Sequence, residues 1–96
     1  MSRAQVLEQL VQSKPTLVAR FGVTHLALFG STVRDAARAD SDIDILVSFD
    51  GPATSERYFG VQFFLEDLLG RPVDLVTNRA LRPELRPFIE KEAVHV

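Results

Sequence analysis

The sequence predicts a layered α/β domain in which helices and strands alternate along the chain. Three observations predict it. Apolar residues recur at three- and four-residue intervals near the start and again after residue 55. Three short β-favouring runs, "VTHLALF", "DIDILVSF" and "RPVDLVT", lie between and after these stretches. The segment joining the second and third runs is long enough for one crossover helix, the usual link between parallel neighbours. At 96 residues, 46 % of them apolar and 25 % charged, the chain can bury one core, so residues 1–96 are expected to form a single domain.

Val6, Leu7, Leu10, Val11, Leu17, Val18 and Phe21 mark an amphipathic helical region over residues 3–21. Pro15 interrupts it, either starting a second helix with Ser13 as cap or kinking a single one; Gly22 is placed to end it in a left-handed cap. Residues 23–29 read as the first strand. "STVRDAARA", from Ser31, is expected to make two helical turns. Residues 42–49 are the second strand, with Ile43, Ile45, Val47 and Phe49 on one face and Asp42, Asp44, Leu46 and Ser48 on the other. Thr54 or Ser55 caps the next helix, whose Tyr58, Val61, Phe64, Leu65 and Leu68 form an apolar stripe before Gly70. "RPVDLVT" is the third strand, expected beside the second. A last helix over residues 83–91, with Leu85, Phe88 and Ile89 facing inward, leads to a short extended end.

Eleven basic and thirteen acidic side chains give a formal charge of -2, too balanced for the basic footprint of a protein that grips a nucleic-acid duplex. Direct nucleic-acid binding is not expected. The absence of cysteine excludes disulfides and thiolate metal sites and suits a reducing compartment. The opening residues lack the apolar segment of a signal peptide, and no run approaches the ~20 residues of a membrane span, so a cytoplasmic protein without membrane contact is expected.

The chemistry is carried by acidic residues in unexpected places. Asp42 and Asp44 stand two apart on a strand, so their carboxylates leave the same face about 6.5 to 7 Å apart at the backbone. Without a cation such a pair is costly, because like charges in a partly desolvated site repel. An oxygen-only set of this kind suits Mg²⁺ or Mn²⁺. Asp74, in the middle of "PVDLV", comes one lateral step of ~4.8 Å away if the second and third strands are neighbours. Three carboxylates then converge, the arrangement used in two-metal phosphoryl transfer. Gly30 and Ser31 stand where a strand turns into a helix, a place for close approach of phosphate to backbone amides and a hydroxyl. Arg34, one turn later, either reaches the same anion or lies on the surface.

Gly30-Ser31, Asp42-x-Asp44 and Asp74 together resemble the signature of the DNA polymerase beta-type nucleotidyltransferase superfamily. The stretch "LFGSTVRDAARADSDIDILVSF" resembles its minimal nucleotidyltransferase (MNT) branch, and "FIEKEAVHV" is similar to the end of such domains. The resemblance implies the nucleotidyltransferase fold, a small mixed β-sheet of three or more strands flanked by helices. It implies transfer of a nucleoside monophosphate, AMP from ATP, to a hydroxyl. Gly30 and Ser31, with Arg34, would contact the triphosphate; Asp42 and Asp44 would hold two Mg²⁺ ions, and Asp74 would complete the metal site and assist deprotonation of the acceptor. It also implies a role as antitoxin to a helical HEPN-domain toxin that receives the AMP. One departure is Asp35, where many relatives carry glycine after the arginine.

A contrasting reading is a non-catalytic antitoxin or assembly module that neutralises its partner by contact. Transfer to a small molecule is disfavoured because no second domain builds an acceptor pocket. "DSDIDI" imitates a calcium loop but has Ile45 and Gly51 where glycine and glutamate are required. Ser31 lacks a nucleophile elbow, and His25 and His95 stand alone. A chain this small is expected to offer an open cleft, completed by a partner or by a second copy of itself.

Overall fold

A computed structural model describes residues 2–34 and 41–96. Helix α1 (Arg3–Phe21) opens on a reciprocal cap: Gln5 N–H donates to Ser2 Oγ at 3.3 Å, and Ser2 N–H donates to Gln5 Oε1 at 2.8 Å. It is one helix through Pro15. Val6, Leu10 and Leu17 form a single buried stripe running past the proline, while Pro15 itself is exposed. Packing of that stripe against the sheet outweighs the backbone hydrogen bond that Pro15 cannot make. Gly22 ends the helix in the left-handed conformation.

Strand β1 (Val23–Phe29) runs into a 3₁₀ turn at Gly30–Thr32, where Val33 N–H donates to the Gly30 carbonyl at 3.2 Å. The two helical turns expected from Ser31 are not formed over residues 31–34, which hold only this turn and the bend after it. The rest of that expectation, and Asp35 with it, lies outside the described residues. Strand β2 (Ile43–Phe49) begins one residue later than the sequence suggests, leaving Asp42 just before it. Helix α2 (Ser55–Leu69) is capped by Thr54 Oγ1, which accepts from Arg57 N–H at 3.2 Å, and closes at Gly70. Strand β3 (Val73–Thr77), helix α3 (Arg86–Glu92) and strand β4 (Val94–His95) complete the described elements.

The four strands form one mixed sheet in the order β3-β2-β1-β4. β2 and β3 are parallel, joined by α2 as the crossover; β1 is antiparallel to both β2 and β4. α1 and α2 cover one face. There Leu26, Leu28, Ile43, Ile45, Val47, Val73 and Leu75 pack with Val6, Leu10, Leu17, Val61, Leu65 and Leu69. Each such side chain contributes roughly 1.5–3 kcal/mol by leaving water, so this face dominates stability. The Tyr58 hydroxyl adds a polar tie by donating to the Leu75 carbonyl.

The opposite face is thinly covered. Ala27, Leu46 and Leu81 form a small cluster under Phe29, Val76, Ile89 and Ala93. The expectation that Leu85, Phe88 and Ile89 all face inward needs correction. Only Ile89 packs; Leu85 is 45 % and Phe88 72 % exposed. A seven-residue helix presents one narrow stripe to the sheet, and here that stripe is Ile89, followed four residues on by the C-cap Ala93 on the same cluster. The helix starts late as well, since Pro87 fits only its first turn and Leu85 becomes the residue before it.

Candidate active site

The alternation of β2 fixes where its acids point. Ile43, Ile45 and Val47 are fully buried beneath α1 and α2, so Asp44 must project from the thinly covered face. β3 lies beside β2 in a parallel register that pairs Asp44 with Asp74, Ile45 with Leu75 and Leu46 with Val76. Val73 and Leu75 are buried like their β2 partners, so Asp74 leaves the same face as Asp44. The two carboxyls are close enough to share a hydrogen bond. Asp42, exposed at the entrance to β2, acts on Asp44 through its charge. Among the described residues no three acidic or imidazole groups are already gathered into a cation cage. The structure thus joins Asp44 and Asp74 and leaves Asp42 at the rim.

This crowding has a thermodynamic signature. Burial, then the charge of Asp74, the hydrogen bond with Asp74, and the charges of Asp42 and Glu92 push the Asp44 carboxyl up from 3.8 to about 6. Asp44 and Asp74, with Asp42 at the rim, offer oxygen donors and no nitrogen or sulfur, the chemistry of a hard divalent cation, and a cation would offset the charges that add to burial in raising Asp44. The residues present therefore fit Mg²⁺ or Mn²⁺. The stabilising proton on Asp44 is fully present below the unfolded value near 4 and is lost as pH rises through about 6. Added Mg²⁺ is accordingly expected to raise the melting temperature at pH 7.5 and to do so much less at pH 5, where a proton occupies the place of the cation. Differential scanning fluorimetry at the two pH values, with calcium-free and metal-free controls, measures this; equal shifts at both would contradict it.

The β1–β2 register brings the glycine turn to the same place. Phe29 pairs with Asp44, and Gly30 follows it at φ +77°, a conformation that side chains resist. A Cβ on Gly30 would lie 2.1 Å from Asp44 Oδ2, so the absence of a side chain is what lets the turn close over the carboxylate. Ser31 is half-buried beside it. Thr32, which sequence reasoning passes over, is 2 % exposed with its Oγ1 lacking a partner among the described residues. Arg34 is exposed and forms an ion pair through Nη1 with Glu92 at the end of α3. Glu92 had no signal in the sequence: it sits 58 residues away among ordinary helix formers.

Two cavities lie away from this pair. A groove of about 330 Å³ is lined by His25, Leu46, Ser48, Asn78, Glu90 and His95, and a second of about 240 Å³ continues past Ser48 to Arg79. Both sit toward the far end of β2, beyond Leu46 and its apolar cover. Neither cavity is lined by Asp44, Asp74 or Gly30, and the chemistry points to the surface where that pair meets the glycine turn.

Residues 7–96 match the family model described as a nucleotidyltransferase domain. The chain belongs to this family. Among curated members, protein adenylyltransferase MntA of Thermococcus cleftensis is 39 % identical over 87 residues, covering 91 % of this chain and 88 % of that one. A Methanocaldococcus jannaschii protein assigned as a protein adenylyltransferase is 36 % identical over 97 residues, covering 97 % and 96 %. A solved structure assigned as a minimal nucleotidyltransferase superposes with a TM-score of 0.82 at 37 % identity, covering 98 % of this chain and 95 % of that one. A toxin–antitoxin crystal structure with AMP-PNP superposes at 0.69 and 21 % identity, covering 99 % and 72 %, and adds to the case for the fold alone. The nucleotidyltransferase family thus accounts for the mixed sheet and for the helices on its covered face.

Proposed function

We propose that this protein is a Mg²⁺-dependent adenylyltransferase that moves AMP from ATP to a hydroxyl on a partner HEPN toxin, and so acts as a cytoplasmic antitoxin. One observation carries it: Asp44 and Asp74 are register partners on the open sheet face, and the Gly30 turn closes onto Asp44. The naming of 39 % identical MntA as a protein adenylyltransferase supports the choice of AMP and of a protein acceptor. The toxin–antitoxin complexes of more distant structural neighbours support the choice of partner.

Gly30 permits close approach of phosphate oxygens to the backbone, and the Ser31 hydroxyl donates to them. Arg34 meets the same anion with its planar fork. Asp42, Asp44 and Asp74 are the residues that would hold two Mg²⁺ ions, with Mn²⁺ able to replace them. When bound, the ions supply the positive charge that balances the phosphates as pyrophosphate departs. Asp74, exposed on its strand, would assist deprotonation of the attacking hydroxyl. The protein's share in rate is orientation and fixed charge rather than covalent chemistry.

A contact-only antitoxin has one observation in its favour: Phe59 and Phe63 stack at 6.2 Å on the outer side of α2, 49 % and 64 % exposed, an apolar surface suited to association. The two readings separate in one experiment. Purified protein, α-labelled ATP, Mg²⁺ and a candidate HEPN-domain partner are combined, and the partner is weighed intact. Labelled AMP on a partner hydroxyl is expected; rescue without label that survives loss of both Asp42 and Asp44 would favour contact.

A further inference from the structure

We propose that Glu92 is a positioning residue for the triphosphate: it holds the Arg34 guanidinium at the mouth of the Gly30–Ser31 turn, with the remaining nitrogens of the fork turned to phosphate oxygens. The inference rests on the reading of this turn as a nucleotide site.

The sheet delivers Glu92 to this spot. β4 is antiparallel to β1 with Leu28 opposite Val94, and Glu92 ends α3 two residues before that pair, which brings it within reach of Arg34 beyond the Gly30 turn. Asp44 flanks the turn on the other side through its pairing with Phe29. Two carboxylates from distant parts of the chain thus meet this segment, Asp44 at Gly30 and Glu92 at Arg34. α3 is pinned there by Ile89 and Ala93 on the small apolar cluster and by the β4 pairing, so Glu92 has little freedom to leave.

A contribution to stability does not explain the pair. The side chains of Arg34 and Glu92 are 58 % and 27 % exposed, and ion pairs at such positions contribute roughly 0–1 kcal/mol. Placing a fourth acid near Asp42, Asp44 and Asp74 is itself unfavourable, and its charge reaches Asp44. What Glu92 does supply is direction. With Glu92 as its partner, the Arg34 guanidinium is held at the end of α3 instead of turning to the aspartates, where it would cancel charge meant for a cation. Among the described residues Arg34 is paired through Nη1, which leaves the rest of its fork for an anion.

The test is calorimetric titration of Mg·ATP into the full chain, which needs no acceptor. Glu92→Gln is expected to weaken ATP binding roughly tenfold, the scale of one charge-assisted hydrogen bond, with the melting temperature held within about 2 °C. Arg34→Ala should weaken it at least as much. The double variant should bind no worse than Arg34→Ala alone, because Glu92 acts only through Arg34. Additive losses, unchanged affinity in Glu92→Gln, or tighter binding, which would make Glu92 a competitor for Arg34, each overturn the inference. Failure of the wild-type protein to bind Mg·ATP at all would instead overturn the nucleotide reading beneath it.

Discussion

Asp44→Asn is expected to reduce AMP transfer on the order of 10³-fold while making the protein more resistant to heat at neutral pH. The two effects come from one cause. Asp44 carries a carboxyl raised to about 6 by burial and by Asp74, Asp42 and Glu92, so at pH 7.5 its ionised form is a burden on the cation-free fold. Asparagine has nearly the same shape and no charge. After allowance for solvent screening of a half-buried group, removing that burden is worth about 1 kcal/mol, or roughly 4–8 °C in melting temperature for a protein this small. The gain should vanish near pH 4, where Asp44 is already protonated in the native state. Transfer measured with labelled ATP, beside thermal melts at pH 4 and 7.5, checks both halves. An inactive variant that is also less stable at neutral pH would mean that Asp44 serves the fold rather than the chemistry.

Gly30→Ala is expected to lose both activity and stability, the opposite pairing. The added Cβ would stand 2.1 Å from Asp44 Oδ2, and φ of +77° costs an alanine about 1–2 kcal/mol before any clash. Relief requires the turn or the carboxylate to move by a distance comparable to an ångström, and a displacement of that size can cost about 10²-fold in rate. Melting temperature should fall by several degrees. Combining the change with Asp44→Ala separates the two costs: the clash disappears, so part of the stability should return, while transfer stays lost. If the pair of changes recovers no stability, strain at φ rather than contact with Asp44 is the reason for glycine.

The candidate site was legible in the sequence to the extent that residues betray themselves locally. Asp42, Asp44 and Asp74 stand out because a strand otherwise filled with isoleucine, leucine and valine has no packing use for them. The alternation of Ile43, Ile45 and Val47 was enough to say that Asp44 faces away from them. Gly30-Ser31 was legible by position, at the end of a β-favouring run. Glu92 and Thr32 were not. Both are ordinary residue types in ordinary local settings; Glu92 matters through its long-range pair with Arg34, and Thr32 through the burial of a hydroxyl that lacks a partner among the described residues. The inward face of α3 was misjudged for a related reason: Leu85, Phe88 and Ile89 fit a helical stripe in sequence, but a short helix on a sheet buries only what the sheet can reach.

The amino-acid sequence by itself determined the order of α1, β1, β2, α2, β3 and α3, the crossover between β2 and β3, and the side of the sheet on which the acids lie. Those follow from period, caps and turn residues, which act within a few positions of one another. Only the tertiary structure decided that α1 runs unbroken through Pro15, that Asp44 meets Asp74 in register while Asp42 remains at the rim, and that the end of the chain returns to place Glu92 against Arg34. Each of these depends on which strands become neighbours and in what register. Strand pairing is chosen by the burial of a whole sheet face, and that energy is shared among residues too far apart in sequence for any local pattern to record.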